Sequence, residues 1–296
     1  MGTAAKALLE PRNWPRSLRI AILILVCAGP VFVLFFLARV PIGPHYHDFA
    51  DKRTLWGIPN ALDALSNVPF CLVGIWALIS LLRRESPSIF LDRRERIPWV
   101  IFFAGVTLTG LGSYWYHLAP SDDRLPWDLL PMTCSFLSLI AVTYMERVSL
   151  RAGFAALGPL LLLGMATVLY WAVTTAHGHG DYKFYLAVEF FSPVVLACIV
   201  ALFPPRYSGM RYLVAAFAFF VAAKLLETYD FGIYRRSHLV SGHSLKHVTA
   251  AVACVWILRM LQVRHPVARD VPYPVADASE PTDAVTFAEK ESQLSQ

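Results

Sequence analysis

The sequence predicts an all-α protein, a polytopic bundle of transmembrane helices, and three observations support this prediction. Of the 296 residues, 56% are hydrophobic and only 16% are charged, whereas a typical soluble domain has about 25% charged residues. The mean hydropathy is +0.51. Apolar runs of roughly 20 residues, the length that crosses a ~30 Å hydrocarbon core, recur along the chain. Because lipid offers the backbone no hydrogen-bond partner, each run is predicted to be a helix.

Eight apolar runs predict eight membrane spans. They cover residues 19–40, 59–82, 98–118, 127–146, 153–174, 184–203, 211–230 and 241–262. Proline marks several boundaries because it lacks the N–H that a helix interior needs; these prolines are Pro59, Pro98, Pro120, Pro126 and the pair Pro204 and Pro205. The connections are short, so successive helices are expected to pack as antiparallel neighbours. The first run is longer than the apolar core of a signal peptide and has no convincing cleavage site, which predicts a retained anchor.

The distribution of Lys and Arg predicts the orientation of the bundle. Loops on one side carry most of these residues, and by the positive-inside rule that side, with both termini, is cytoplasmic. The loops at 41–58, 119–126, 175–183 and 231–240 are then expected outside. Compact loops and the absence of an Asn-x-Ser/Thr acceptor favour a bacterial inner membrane over the endoplasmic reticulum or Golgi.

Composition along the chain predicts three regions. Residues 1–44 form a cytoplasmic N-terminus and one additional transmembrane helix, residues 45–264 form the functional bundle, and residues 265–296 form a polar tail expected to be disordered.

The net charge is +5, but the basic residues lie in short loops between spans, so nucleic acid is not an expected partner. The lipid bilayer is the expected surrounding, and no obligate protein partner is indicated. None of the five cysteines has a Cys-x-x-Cys partner, which predicts neither disulfides nor a thiolate metal site.

Five polar residues are predicted to lie at one depth in the membrane, although they are far apart in the chain. Ser113 and His117 end the third span, Asp128 opens the fourth, and His243 and His247 open the last. A spacing of four places each pair on one helix face. Polar groups inside an apolar span are costly and therefore indicate function. Two histidines from one helix and one from another form a three-ligand zinc set with a fourth position for water.

These residue types suit hydrolysis. Zinc lowers the pKa of water to about 7, Asp128 could carry the proton to a leaving group, and the Ser113 hydroxyl could donate to a developing oxyanion. Ser113 as a nucleophile is the alternative, in which His117 would have to serve as both base and ligand. Taken singly, each residue also has a structural explanation: an interfacial histidine, a carboxylate at a helix N-terminus, or a packing serine.

The local sequence around these residues resembles that of a known family. The matching stretches are Gly112-Ser113-Tyr114-Trp115-Tyr116-His117, Trp127-Asp128, Ser241-Gly242-His243, Gly57-Ile58-Pro59-Asn60 and Leu65-Ser66-Asn67-Val68-Pro69-Phe70. With their spacings they resemble the alkaline ceramidases, which belong to the CREST superfamily of seven-helix membrane hydrolases, related to adiponectin-receptor-like proteins. The resemblance covers about residues 45–262. It implies a seven-helix ceramidase-like core, to which this chain adds one N-terminal transmembrane helix.

The resemblance also implies an activity. Zinc would be bound by His117, His243 and His247, and Ser113 and Asp128 would assist the hydrolysis of the ceramide amide to a sphingoid base and a fatty acid. Two alternatives within the same superfamily stay open: a receptor-like lipid sensor that retains the zinc site, and a hydrolase of another N-acyl lipid. A transporter is a third alternative, for which the sequence shows no inverted repeat.

A calcium site is the least supported feature that the resemblance suggests. Animal alkaline ceramidases carry an acidic run of the form Asp-Trp-x-Glu before their first span. The equivalent region here differs in form, and Asp48, Asp51 and Asn60 are its candidate oxygen ligands. A solvated loop in which Asp51 pairs with Arg53 is the alternative.

Three further ionisable residues lie inside predicted spans: Glu189, Lys224 and Glu227. They are expected either to line a lipid-binding cavity or to form a structural ion pair between helices. Lys246 lies between the two histidines of the last span in sequence. It is expected to point away from them and to reach the outer membrane interface.

Overall fold

The computed structural model describes residues 11–83 and 89–267, and within these residues it is helical with no β-strand. Apart from two short 3₁₀ turns, the helices in chain order are α1 (Arg16–Phe36), α2 (Ala61–Leu65), α3 (Val68–Arg83), α4 (Arg96–Leu118), α5 (Leu125–Arg147), α6 (Leu150–Ala176), α7 (Lys183–Leu202), α8 (Met210–Thr228), α9 (Asp230–Ser237) and α10 (Gly242–Val263). The predicted all-α bundle is therefore confirmed.

Seven helical stretches in the described part are long and apolar enough to cross a membrane, with α2 and α3 counted as one. An eighth crossing arises if α8 and α9, which meet at a 72° bend, form one span. The apolar surfaces of these helices indicate a lipid bilayer environment and are consistent with an integral multi-pass membrane protein. The orientation of the bundle and the type of membrane stay predictions.

The prediction of a loop at 231–240 is wrong for most of this segment, because residues 230–237 form helix α9. The segment is polar and carries Arg235 and Arg236, so no apolar run marks it in the sequence. Asp230 begins the helix, and its carboxylate accepts hydrogen bonds from the backbone N–H groups of Ala50 and His243. Tertiary hydrogen bonds therefore hold the bend between α8 and α9.

The predicted span 59–82 is interrupted rather than continuous. Helix α2 ends at Leu65, and α3 begins at Val68. Pro69 cannot donate a backbone hydrogen bond to the preceding turn, which favours a break at this point. The Asn67 side chain instead donates to the carbonyl oxygens of Asp63 and Ala64. The break leaves Ser66 and Asn67 facing the interior of the bundle.

Glycines allow the central helices to approach closely. A Cβ atom added to Gly105 would lie 2.8 Å from the carbonyl oxygen of Pro131, and one added to Gly112 would lie 1.9 Å from that of Trp127. Both contacts join α4 to α5, and only a residue without a side chain fits there. Small residues at helix contacts are a general feature of membrane bundles. At Gly112 the close contact fixes the positions of the next residue on each helix, Ser113 and Asp128.

Helix α1 packs on the outside of the bundle, against α7. Its buried residue Leu23 joins an apolar cluster that includes Ile199. Arg16 and Arg19 donate to the carbonyl oxygens of Val148 and Leu202, which tie the start of α1 to the ends of α5 and α7. The rest of α1 exposes apolar side chains, as expected of a lipid-facing helix. Most of the predicted tail 265–296 lies outside the described residues, and the three-region division stays a prediction.

Candidate metal centre

The structure brings the three predicted histidines together. His117 lies at the end of α4, and His243 and His247 lie in the first turns of α10, so the two helices run antiparallel. The three side chains are buried, with exposures of 1%, 6% and 3%. One ring nitrogen from each lies within 4.8 Å of the others, and the group could hold a metal ion. Residues 126 positions apart in sequence thus share one site.

The distance between two of these nitrogens suits zinc. His117 Nε2 lies 3.2 Å from His243 Nε2. Two nitrogens bound at 2.0–2.1 Å to one tetrahedral zinc ion are about 3.3–3.4 Å apart. Neutral imidazoles are the expected form in a buried site, because burial disfavours the charged ring. The donor set and its spacing therefore fit zinc, although they do not distinguish it from other metals that imidazole binds.

Ser66 orients His247 through a hydrogen bond that assigns its tautomer. The Ser66 hydroxyl donates its single proton to the carbonyl oxygen of Asp63, at 2.9 Å. Its oxygen also lies 2.9 Å from His247 Nδ1. With the hydroxyl proton directed to Asp63, Nδ1–H of His247 donates to Ser66. The lone pair of His247 is then on Nε2, where a metal ion can accept it.

Two buried carboxylates anchor the start of α10, which carries two of the histidines. Asp63 on α2 accepts hydrogen bonds from the hydroxyls of Ser241 and Ser244, and Ser241 caps the helix by accepting from the Ser244 N–H. Asp230 on α9 accepts from the backbone N–H of His243 at 2.8 Å. Carboxylates beside a helix N-terminus stabilise it because they satisfy its free N–H groups and oppose its dipole. These contacts determine where both ring nitrogens point.

His117 has an unsatisfied polar atom. The backbone of this residue is held by Asn60, whose amide donates to the His117 carbonyl oxygen at 2.9 Å. Its Nδ1, by contrast, is buried without a hydrogen-bond partner among the described residues. Its other nitrogen, Nε2, faces the Nε2 of His243. A metal ion bound between these two Nε2 atoms would use their lone pairs and would leave Nδ1 of His117 as it is.

Ser113 lies one turn before His117 on α4, and Asp128 lies in the first turn of α5. The Ser113 side chain hydrogen-bonds the Asp128 carboxylate. Asp128 is partly exposed, and it does not join the close group of three ring nitrogens. The roles themselves stay predictions.

Phe49 covers the site on the side of the 41–58 segment. Its ring centroid lies 4.6 Å from that of His117 and 4.3 Å from that of His243. Phe49 is itself 7% exposed. The same segment is held by His47, whose ring nitrogens contact the Tyr116 hydroxyl and the Asp122 carboxylate. An apolar cover of this kind limits the access of bulk water.

The candidate calcium ligands are engaged in other contacts. Both oxygens of Asp51 accept from the Arg53 guanidinium, which confirms the predicted local pairing. Burial alone would raise the pKa of Asp51, but hydrogen bonds from Arg53 and its charge outweigh that effect and lower it. Asp48 pairs with His45 and Lys52, and the Asn60 amide donates to His117. A calcium site at Asp48, Asp51 and Asn60 stays an untested prediction.

The predicted outward direction of Lys246 is wrong. Its Nζ lies 2.6 Å from Glu227 Oε1 and 3.5 Å from His243 Nε2, so the ammonium group lies beside the histidines. Lys246 is three residues from His243, and side chains three apart lie on neighbouring positions of a helix surface. Glu227, on α8, supplies the charge that holds it there. The ion pair between helices that the sequence allows is present: Lys224 contacts Glu189 on α7, and it also contacts Glu227 on its own helix.

Comparisons with known proteins identify no relative: no family model, no curated protein and no solved structure matches the chain.

Several residues of the site escaped sequence analysis. Ser66, Asp63 and Asp230 support the histidines, Phe49 covers them, and Lys246 lies against them. The one local signal near them is Ser241 followed three residues later by Ser244, a pattern typical of a helix N-terminus. The other contacts join different helices or loops, at separations from 13 positions for Asp230 and His243 to 181 for Ser66 and His247, and no spacing in the sequence reports them.

Proposed function

We propose that this protein is a zinc-dependent intramembrane amide hydrolase that cleaves ceramide, an N-acyl sphingoid base, to a sphingoid base and a free fatty acid. The observation that supports it best is the buried triad of His117, His243 and His247. The hydrogen bond between Ser113, one turn before His117, and Asp128 adds to it. The resemblance of the surrounding residues to the alkaline ceramidases supplies the substrate class. The site faces the outside of a bacterial inner membrane, with both termini in the cytoplasm.

Zinc held by the three histidines would polarise the substrate carbonyl and make water acidic enough to be activated at neutral pH. The remaining steps belong to the chain's own side chains. Asp128 accepts the proton of the attacking water and delivers it to the amide nitrogen as the C–N bond breaks. Ser113 first donates its hydroxyl proton to the Asp128 carboxylate. Once Asp128 has taken up the proton of the water, the Ser113 hydroxyl turns to donate to the oxygen that gains negative charge. The products are the amine of the sphingoid base and the carboxylic acid.

The architecture is compatible with a lipid substrate. The reacting groups lie at the end of an apolar bundle, and the Phe49 ring covers the histidines on the side where the 41–58 segment lies. An amide with two long chains needs an apolar path to the site and only a few polar groups at the reacting bond. The substrate is therefore expected to approach from the bilayer.

The test is direct. Protein purified in mild detergent is incubated with ceramides of different acyl lengths and with other N-acyl lipids, and the released amine is measured with and without a chelator. We expect ceramide hydrolysis that the chelator abolishes and added zinc restores, together with about one zinc per chain. Hydrolysis of a different N-acyl lipid alone would reassign the substrate. Zinc binding without hydrolysis of any lipid would favour a receptor-like sensor and refute the enzyme.

A further inference from the structure

A chain of alternating charges runs through three helices and ends at the metal centre. Lys224 Nζ lies 2.7 Å from Glu189 Oε1 and also contacts Glu227 Oε2. The other oxygen of Glu227 lies 2.6 Å from Lys246 Nζ. The order is therefore Glu189 on α7, Lys224 and Glu227 on α8, and Lys246 on α10. All four side chains are largely buried, with exposures of 30% or less.

The two lysines of this chain differ in their surroundings. Lys224 contacts two carboxylates, whereas Lys246 contacts one, and that carboxylate is shared with Lys224. The negative charge of Glu227 is thus divided between two ammonium groups. Lys246 is consequently the less neutralised cation, and it is the one beside the histidines.

The ammonium group of Lys246 also has donors that no acceptor among the described residues engages closely. It carries three N–H donors, of which one meets Glu227. Its distance of 3.5 Å to His243 Nε2 is too long for a strong hydrogen bond. That nitrogen, moreover, cannot accept a proton from Lys246 when its lone pair is given to a metal ion. A cation with free donors next to such a site is suited to bind an anionic oxygen.

We propose that Lys246 binds the acyl oxygen at this site and that the ligand it holds best is the carboxylate of a long-chain fatty acid, the acid product of the reaction. This inference rests on the proposed function. Glu227 positions the ammonium group, while Lys224 and Glu189 keep Glu227 from neutralising it fully. No bond is made or broken in this step, because it is a binding contact.

Binding of palmitate, compared with hexadecanol, tests the proposal in the purified zinc-loaded protein. Hexadecanol has the same chain length without the carboxylate, so it controls for apolar contacts and for detergent partitioning. The variants are Lys246→Met, which keeps the length of the side chain, and Lys246→Arg, which keeps its charge. We expect Lys246→Met to weaken palmitate binding at least tenfold, as a lost charged hydrogen bond would. Hexadecanol binding and zinc content should stay unchanged, and Lys246→Arg should retain most of the palmitate affinity.

Three results would overturn the proposal: unchanged palmitate binding in Lys246→Met, an equal loss of hexadecanol binding, or loss of zinc together with palmitate. If Lys246→Met does not fold because Glu227 loses one of its two cations, the double variant Lys246→Met with Glu227→Gln removes both charges and serves in its place. Failure of the proposed function gives a different result. Wild-type protein would then hydrolyse no N-acyl lipid, whereas the Lys246 dependence of palmitate binding is measured without turnover.

Discussion

Helices α4 and α10 share two buried polar clusters, one at each end of the pair. The two clusters differ in how their charges are satisfied. At one end lie His117 and the two histidines of α10. At the other, about 30 Å away along each helix, lie Glu95 and Arg264, which are 0% and 5% exposed. The same pair of helices therefore joins two buried polar regions of similar burial but different composition.

The cluster at the Arg264 end matches anions with cations. Arg264 Nη1 lies 2.7 Å from Glu146 Oε1, which also accepts from the Trp99 indole N–H at 2.9 Å. Glu95 contacts Arg206 and the Tyr207 hydroxyl. The Arg264 guanidinium also lies 4.0 Å from the centre of the Tyr207 ring. Opposite charges pair with one another in this cluster. Arg264 Nη2 has no hydrogen-bond partner among the described residues, and the guanidinium lies against the rings of Phe90, Trp99 and Tyr207.

The histidine cluster, by contrast, gathers groups of one kind. Three imidazole nitrogens converge without an acid among them, and Nδ1 of His117 has no partner among the described residues. The comparison teaches that burial of polar groups does not by itself indicate function. A cluster whose charges pair with one another stabilises the fold, whereas a cluster of converging imidazole nitrogens could hold a metal ion.

Removal of a histidine should have the largest effect. We expect His247→Ala to lose bound zinc and to reduce hydrolysis to background, since two imidazoles remain and the tetrahedral set is incomplete. Elemental analysis and a ceramide assay measure both properties. His177→Ala, which changes an exposed histidine beyond α6, is the matched control. A fully active His247→Ala protein would exclude this residue as a ligand.

Asp128→Asn should separate chemistry from metal binding. We expect it to keep zinc and to lower kcat by about 10²–10⁴-fold, because an amide cannot carry the proton. The measurement is turnover together with zinc content, with Asp123→Asn in the exposed 119–126 segment as control. Unchanged kcat would refute Asp128 as the proton carrier. Loss of zinc would instead place Asp128 among the ligands.

A substitution at the other cluster should change stability without changing the metal. We expect Arg264→Met to lower the free energy of unfolding by about 3–5 kcal/mol, since it leaves the buried carboxylate of Glu146 without its cation. Folded protein should still bind one zinc. Thermal unfolding in detergent measures the effect, and Arg259→Met on the exposed face of α10 is the control. Equal stability of the two variants would contradict the comparison.

The smallest effect is expected for Ser66→Ala. It removes the acceptor of His247 Nδ1–H and should weaken zinc affinity by about 10–100-fold, as the loss of a supporting hydrogen bond does at other metal sites. Competition with a zinc-selective chelator measures the affinity. Ser80→Ala on α3 serves as control. If both variants bind zinc equally well, Ser66 does not orient the ring.

Periodic and compositional signals predicted most of the fold. The apolar runs located the membrane-spanning helices within a few residues, because a span must be long and apolar wherever it lies. They missed α9, whose sequence Asp-Phe-Gly-Ile-Tyr-Arg-Arg-Ser is polar and depends on contacts of Asp230 with distant backbone. They also missed the break at Ser66, which is stabilised by side-chain hydrogen bonds rather than by a change in hydropathy.

The residues of the site were predicted more completely than their surroundings. Topology alone placed the three histidines at one depth, since span ends on the same side must meet the same membrane face. It could not tell which way Lys246 points, because a lysine at a helix surface reaches water or a carboxylate equally well. Glu227 on another helix decides that direction.

The sequence by itself determined that this chain forms apolar helices and that its histidines lie at one end of the bundle, because both properties follow from the hydrophobicity and order of the segments. Only the tertiary structure decided which nitrogens converge, which groups orient them and which cation lies beside them. These features depend on contacts between side chains 19 to 181 positions apart. Such contacts arise from packing, which no local pattern encodes.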